Sequence, residues 1–150
     1  MKGSAQITAP NELVLACRRL YSAIDKLDAK AASLVGVTRN DLRCLNLLAE
    51  APQKPAQIIT ELGLTSGSVT ALLDRLEKLE LAKRSRDPND RRSVVVHPTE
   101  RLFEILGPLY RGVAEEITRI SADYDSNERR LAVKHLSDAC VAYEQATTQS

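Results

Sequence analysis

No stretch of the chain approaches the roughly 20 consecutive apolar residues that a membrane-spanning helix needs. Residues 1–10 hold one lysine and no continuous apolar core of the kind a secretory signal carries. A soluble, cytoplasmic protein with no membrane partner is therefore expected. Cysteine is scarce: Cys17, Cys44 and Cys140 are odd in number and widely spaced, with no Cys-x-x-Cys pair for zinc or thiol exchange, so neither a disulfide framework nor a metal site is expected. Histidine is scarcer still, with His97 and His135 the two present. No serine–histidine–aspartate or cysteine–histidine arrangement suggests itself and no glycine-rich phosphate loop occurs, so the expectation is a protein without catalytic residues or a cofactor. Internal repeats and low-complexity tracts are missing as well. Net charge is also small, 21 basic against 20 acidic residues for a formal +1. Any case for a nucleic-acid partner must therefore come from where charge is placed and not from its sum.

What is present is an ordinary globular composition, 43% hydrophobic and 27% charged over 150 residues, enough for one domain with a real core. Leu13, Cys17, Leu20, Ile24, Leu27, Ala31 and Leu34 recur at three-and-four spacing and predict a long amphipathic helix over 11–34. Gly36 breaks it, and Leu42, Leu45, Leu48 and Ala49 define a second helix over 41–50. Pro52 and Pro55 bracket a loop, with Pro55 suited to the first turn of a short third helix that stops at Gly63. Thr65 or Ser66 can cap a fourth helix, about 66–79, whose inward stripe is Val69, Leu72, Leu73, Leu76 and Leu79. The period then changes. Residues 81–86 and 93–97 read as strands flanking the turn formers Asp87, Pro88, Asn89 and Asp90, giving a β-hairpin. Thr99 caps a long helix over 100–124 that Gly107 and Pro108 are expected to bend, Asp125 and Ser126 interrupt it, and a last helix covers 127–146.

Helix, glycine turn, capped helix and basic hairpin, in that order, make a winged helix-turn-helix, whose second helix enters the major groove. Turned away from the apolar stripe of that helix are Ser66, Gly67, Ser68, Thr70, Ala71, Asp74, Arg75 and Lys78. Small and hydroxyl-bearing residues let the backbone approach base edges, and Arg75 offers a two-pronged contact to guanine or phosphate. The hairpin adds Lys83, Arg84, Arg86, Arg91 and Arg92 against two acids, Asp87 and Asp90. Arginine at a wing tip suits the negative potential of a narrow minor groove, and Asp90 is placed to orient Arg92 by a charge-assisted hydrogen bond. Double-stranded DNA is the partner these residues point to.

Residues 64–100, LTSGSVTALLDRLEKLELAKRSRDPNDRRSVVVHPTE, resemble the DNA-binding core of the MarR family of bacterial regulators, including Asp90-Arg91-Arg92 in the wing and Thr99-Glu100 after it. Pro98 and Leu102 depart from the pattern, standing where leucine and glycine are usual. The resemblance implies a mainly α fold. Its parts are a winged helix-turn-helix lobe over 38–98, a single β-hairpin wing, and long dimerisation helices over 11–35 and 100–147, all within one domain. It implies DNA contacts from Ser66, Ser68, Thr70 and Arg75 and from Arg92 supported by Asp90. One recognition helix covers few base pairs, so a homodimer on a pseudo-palindromic operator is expected. The family's habit further implies a repressor released by a small aromatic or phenolic effector, whose site the residues do not reveal. The alternative is peroxide sensing through Cys17: followed by Arg18, Arg19, Leu20 and Tyr21, it is similar to the sensing helix of the organic-hydroperoxide branch. Two tyrosines of that branch correspond here to Ala31 and Arg39, so the match is partial and the hydrogen-bonding cage that would lower the thiol pKa is expected to be absent.

Overall fold

The computed structural model describes residues 11–148, which form α1 (Glu12–Val35), α2 (Arg39–Glu50), α3 (Pro55–Leu62), α4 (Ser66–Lys78), β1 (Ala82–Arg86), β2 (Val94–Pro98), α5 (Glu100–Ser121) and α6 (Ser126–Thr148). The reading of residues 1–10 as lacking a secretory signal concerns positions outside those described. The element order is the expected one, mainly helical with one hairpin. None of the described helices is long and apolar enough to cross a membrane. The described residues divide into two compact units, Lys26–Val113 and a second made of the described residues before Lys26 and after Val113, so α1 and α5 each contribute to both.

The first unit is built on leucine spacing. Leu42, Leu45 and Leu48 of α2, Ile58 and Leu62 of α3, and Val69, Leu72, Leu73 and Leu76 of α4 meet in one core that also takes in Leu81, Ala82 and Val96 at the base of the hairpin. Ala31 and Ala32 from the end of α1 and Leu102 and Leu106 from the start of α5 close it, so the packed body reaches beyond the expected 38–98 lobe at both ends. Caps set the helix starts. Thr38 Oγ1 accepts the Asp41 N–H while Asp41 Oδ2 accepts the Thr38 N–H, a reciprocal box that starts α2 two residues earlier than the apolar pattern indicated. The Thr99 hydroxyl accepts the Leu102 N–H and donates to the Glu80 carbonyl at 2.6 Å, which pins the start of α5 to the turn after α4. Pro98 is the last residue of β2, and α5 continues through Pro108 as one element. In the hairpin, Ala82 pairs with Pro98 and Arg86 with Val94 in antiparallel register, and Gln53 exchanges both main-chain hydrogen bonds with Val96. Leu79 departs from the predicted stripe: α4 stops at Lys78, the next residue but one, Glu80, takes a left-handed φ of 59°, and Leu79 is left exposed.

In the second unit the interruption expected at Asp125 and Ser126 has a clear cause. Asp125 Oδ1 accepts the N–H groups of Asn127 and Glu128, and Glu128 returns a carboxylate oxygen to the Asp125 N–H, a capping box that starts α6. No described residue of α6 is buried in the single chain, and Ile117, Leu131 and Tyr143 are 60%, 68% and 58% exposed. The helices of this unit thus carry apolar side chains with nothing over them.

Candidate nucleic-acid interface

Gly63 ends α3 in the left-handed conformation, φ 63° and ψ 33°, and the Leu64 N–H returns to the Ile59 carbonyl. Glycine adopts that conformation without the Cβ cost other residues meet. Thr65 then opens α4 by accepting the Ser68 N–H at 3.2 Å and donating its hydroxyl to Ser68 Oγ at 2.8 Å. The tight turn and the cap together hold the first turn of α4 at the surface. Ser66, Gly67, Ser68 and Thr70 are all exposed there, as the sequence face predicted. The Thr70 hydroxyl donates to the Ser66 carbonyl, leaving its oxygen free to accept. A helix N-terminus with exposed hydroxyls is ready to meet phosphate or base edges.

The arginines divide into two kinds. Arg84, on β1, is spent internally: it pairs with Asp74 at 2.8 Å and with Glu77, its main-chain N–H donates to Glu77 Oε1, and its Nη2 reaches the Thr70 carbonyl. Burial works against its charge, but hydrogen bonds and proximity to Asp74 and Glu77 prevail and raise its pKa. It braces the wing against α4. Arg75, read from sequence as a two-pronged DNA contact, places its two prongs on Asp41, with Nη2 2.7 Å from Oδ1 and Nε 3.4 Å from Oδ2. The hydrogen bond to Asp41 is also the chief reason its pKa is raised. By contrast, Lys83, Arg86, Arg91 and Arg92 are exposed and pair with no acid among the described residues.

The loop 87–93 that presents Arg91 and Arg92 is shaped by its two aspartates. Asp87 is nearly buried and accepts the Asn89 N–H and the Ser93 hydroxyl, while Lys54, before α3, pairs with it at 3.1 Å. The Asn89 N–H, then Lys54, hold its pKa below the ordinary carboxylate value. Asp90 supports Arg92 through the main chain: its Oδ1 accepts the Arg92 N–H at 3.0 Å, and no guanidinium bond between the two side chains forms. His97, one strand across, meets Ser85 Oγ at 2.9 Å.

Sequence reasoning missed Asp41, Asp74, Glu77 and Lys54 as partners. The Thr38-to-Asp41 spacing carried a capping-box signal, but nothing local tied Asp41 to Arg75. It also found no cysteine–histidine pair, yet in the second unit Cys17 Sγ lies 3.8 Å from His135 Nε2. Tyr21 and Cys140 line the same groove of about 520 Å³ as Cys17. Cys44 is an inert core thiol, its pKa pushed up to about 12 by burial and then by Asp41.

A glycine-turned helix pair with an exposed hydroxyl face, followed by a hairpin with unpaired arginines at its tip, defines a winged helix-turn-helix DNA-binding protein. The sequence model of the MarR family matches residues 35–93. The uncharacterized HTH-type transcriptional regulator YcgE of Bacillus subtilis (strain 168) is 34% identical over 116 residues, 77% of this chain and 75% of that protein. Two solved structures are similar. RV1404 from Mycobacterium tuberculosis is 26% identical with a TM-score of 0.61, over 90% of this chain and 97% of that one. NadR in complex with 4-hydroxyphenylacetate shares the fold at 19% identity and a TM-score of 0.61, over 93% and 97%. The chain belongs to the MarR family of transcriptional regulators.

Proposed function

We propose that this protein is a cytoplasmic homodimeric repressor that binds a pseudo-palindromic operator and leaves it when a small aromatic or phenolic ligand binds. The observation that carries the DNA reading is the division of the arginines: with Arg84 committed internally, Arg91 and Arg92 stay unpaired at a wing tip shaped by Asp87 and Asp90. Ser66, Ser68 and Thr70 contact bases or phosphates from α4, and Arg91 and Arg92 enter the neighbouring groove. The apolar side chains left exposed on α6 and on the second-unit part of α5 support a second copy as their cover.

The ligand reading draws on NadR, which binds a phenolic acid, and on a groove of about 440 Å³ in the first unit between α2 and α5. Leu45, Leu102, Phe103 and Leu106 line it. The Tyr110 hydroxyl donates to Asn46 Oδ1 at 3.5 Å, giving a polar pair among apolar walls. Burial, then Asp28, raises the Tyr110 pKa, so this hydroxyl is a neutral donor at physiological pH. Footprinting on a duplex selected from a random library, repeated with a panel of phenolic acids and peroxides, tests operator and trigger together. A footprint of one half-site, or one unmoved by every phenol, defeats the corresponding part.

The contact of Cys17 with His135 favours peroxide sensing as the second reading. There His135 takes the thiol proton, the Cys17 thiolate attacks one peroxide oxygen, and the alcohol leaves after taking up that proton. The resulting sulfenic acid condenses with the Cys140 thiol, releasing water and forming a disulfide. Organic peroxide then releases DNA from wild type and not from Cys17→Ser; equal release from both removes Cys17 from the mechanism.

A further inference from the structure

Arg75 lies on the exposed side of α4, among the side chains that face outward toward DNA in the reading above, yet its guanidinium turns back to a carboxylate 34 residues earlier in the chain. Asp41 is 1% exposed. A carboxylate so buried is strongly destabilising unless a cation and hydrogen bonds answer it, and Arg75 is the cation that does so. The same carboxylate accepts the Thr38 N–H, so it closes the first turn of α2 and grips the last turn of α4 at once. Directly beside Arg75 in sequence, Asp74 reaches the other way, to Arg84 of the wing, which also holds Glu77. The helix is therefore held on one side to α2 and on the other to β1. A rotation of α4 about its axis would break one ion pair or the other, and that rotation is what would swing Ser66, Ser68 and Thr70 away from a groove.

We propose that Arg75 is a positioning residue: it acts on DNA affinity through Asp41, by fixing the roll of the recognition helix, and makes no phosphate or base contact of its own. The proposal rests on α4 being the recognition helix. Its two roles separate by salt dependence. A lost phosphate contact releases fewer counterions and flattens the plot of log affinity against log salt, whereas a mis-set helix lowers affinity at every salt concentration alike. They separate also by chemistry, since lysine can replace arginine at a phosphate but cannot supply a planar two-nitrogen grip on Asp41.

The test uses the full chain and a 30-base-pair duplex selected from a random library by the wild-type protein. Fluorescence anisotropy between 50 and 200 mM KCl is recorded for wild type, Arg75→Ala, Arg75→Lys, Asp41→Asn and Asp41→Asn with Arg75→Ala, each checked for a cooperative thermal transition. Arg75→Ala and Arg75→Lys are expected to lose about tenfold in affinity with the wild-type salt slope, and Arg75→Ala to cost under about twofold more once Asp41 is Asn. A slope shallower by about 0.9 per half-site overturns the proposal, as does Arg75→Lys binding like wild type, or losses that simply multiply. If Asp41→Asn does not fold, the exposed Arg75 variants decide the question alone. A wild type that selects no duplex overturns the recognition-helix reading itself, an outcome distinct from all of these.

Discussion

Arg92→Ala removes the guanidinium that the wing presents without an internal partner. In the folded chain Arg92 is exposed, and its tie to Asp90 runs through its main-chain N–H, which alanine keeps. The substitution should therefore leave thermal unfolding within about 0.5 kcal/mol of wild type. Its effect on DNA follows from counting charges. A dimer loses two cationic contacts, and each phosphate neutralised contributes about −0.9 to the slope of log affinity against log salt, so the slope should become shallower by about 1.8. Across a fourfold rise, from 50 to 200 mM KCl, the variant should then lose about tenfold less affinity than wild type does. The control is Arg84→Ala. Arg84 holds Asp74 and Glu77 and is 27% exposed in its side chain, so its removal should lower stability by about 1–2 kcal/mol and leave the salt slope alone. Fluorescence anisotropy on the selected duplex and thermal denaturation measure both quantities. Identical slopes for wild type and Arg92→Ala, or a flattened slope for Arg84→Ala, would refute the division of the arginines into DNA-facing and internal.

Leu76 is 0% exposed at the centre of the core, so Leu76→Ala should cost about 2–5 kcal/mol by denaturant unfolding; a loss under 1 kcal/mol would contradict the packing described. Glu80 holds a left-handed φ of 59° without being glycine, so Glu80→Gly should raise stability by about 0.5–1 kcal/mol, and a lower melting temperature would count against backbone strain there. The Asn89 N–H and Lys54 depress the Asp87 pKa in the folded wing. The stabilisation it brings is therefore complete above the unfolded carboxylate value of about 4 and disappears as pH falls through the lower folded value. Protection of the wing loop from proteolysis by an acid-active protease should drop below about pH 4 in wild type, while Asp87→Asn should be poorly protected even at pH 6; equal profiles would dissociate Asp87 from wing order. Sedimentation should report about twice the chain mass at micromolar concentration, and a monomer would leave the apolar face of α6 without its proposed cover.

The fold was legible because its determinants are local and periodic. Leucines at three-and-four spacing, Gly63 at a left-handed turn, Thr65 and Thr99 at helix starts, and turn formers between two apolar-edged strands each act within a few residues. The errors in the helices come from the same locality. The stripe in α4 was extended one residue too far, to Leu79, because apolar spacing does not register the left-handed Glu80 whose carbonyl is held by Thr99, 19 residues on. The long helix after the wing ends at Ser121, where an apolar pattern alone carried it to Tyr124.

The DNA-facing surface was legible in its residue types but not in their availability, which depends on which acids the fold brings close. Arg75, Arg84 and Arg92 look alike along the chain, each an arginine on a surface pattern beside acids. Arg92 sits two residues from Asp90, yet that carboxylate takes its main chain and leaves the guanidinium unpaired. Arg75 has an acid next to it in sequence, Asp74, and pairs instead with Asp41, while Asp74 goes to Arg84. Spacing thus ranks these pairs in the wrong order. What orders them is burial: Asp41, 1% exposed, is costly to leave without a partner, whereas Asp90, at the surface, is met by solvent and one N–H. A basic cluster read from sequence is therefore an upper bound on the charge a protein offers to DNA. In this chain the wing tip keeps its share because its acids are occupied by the loop that presents it.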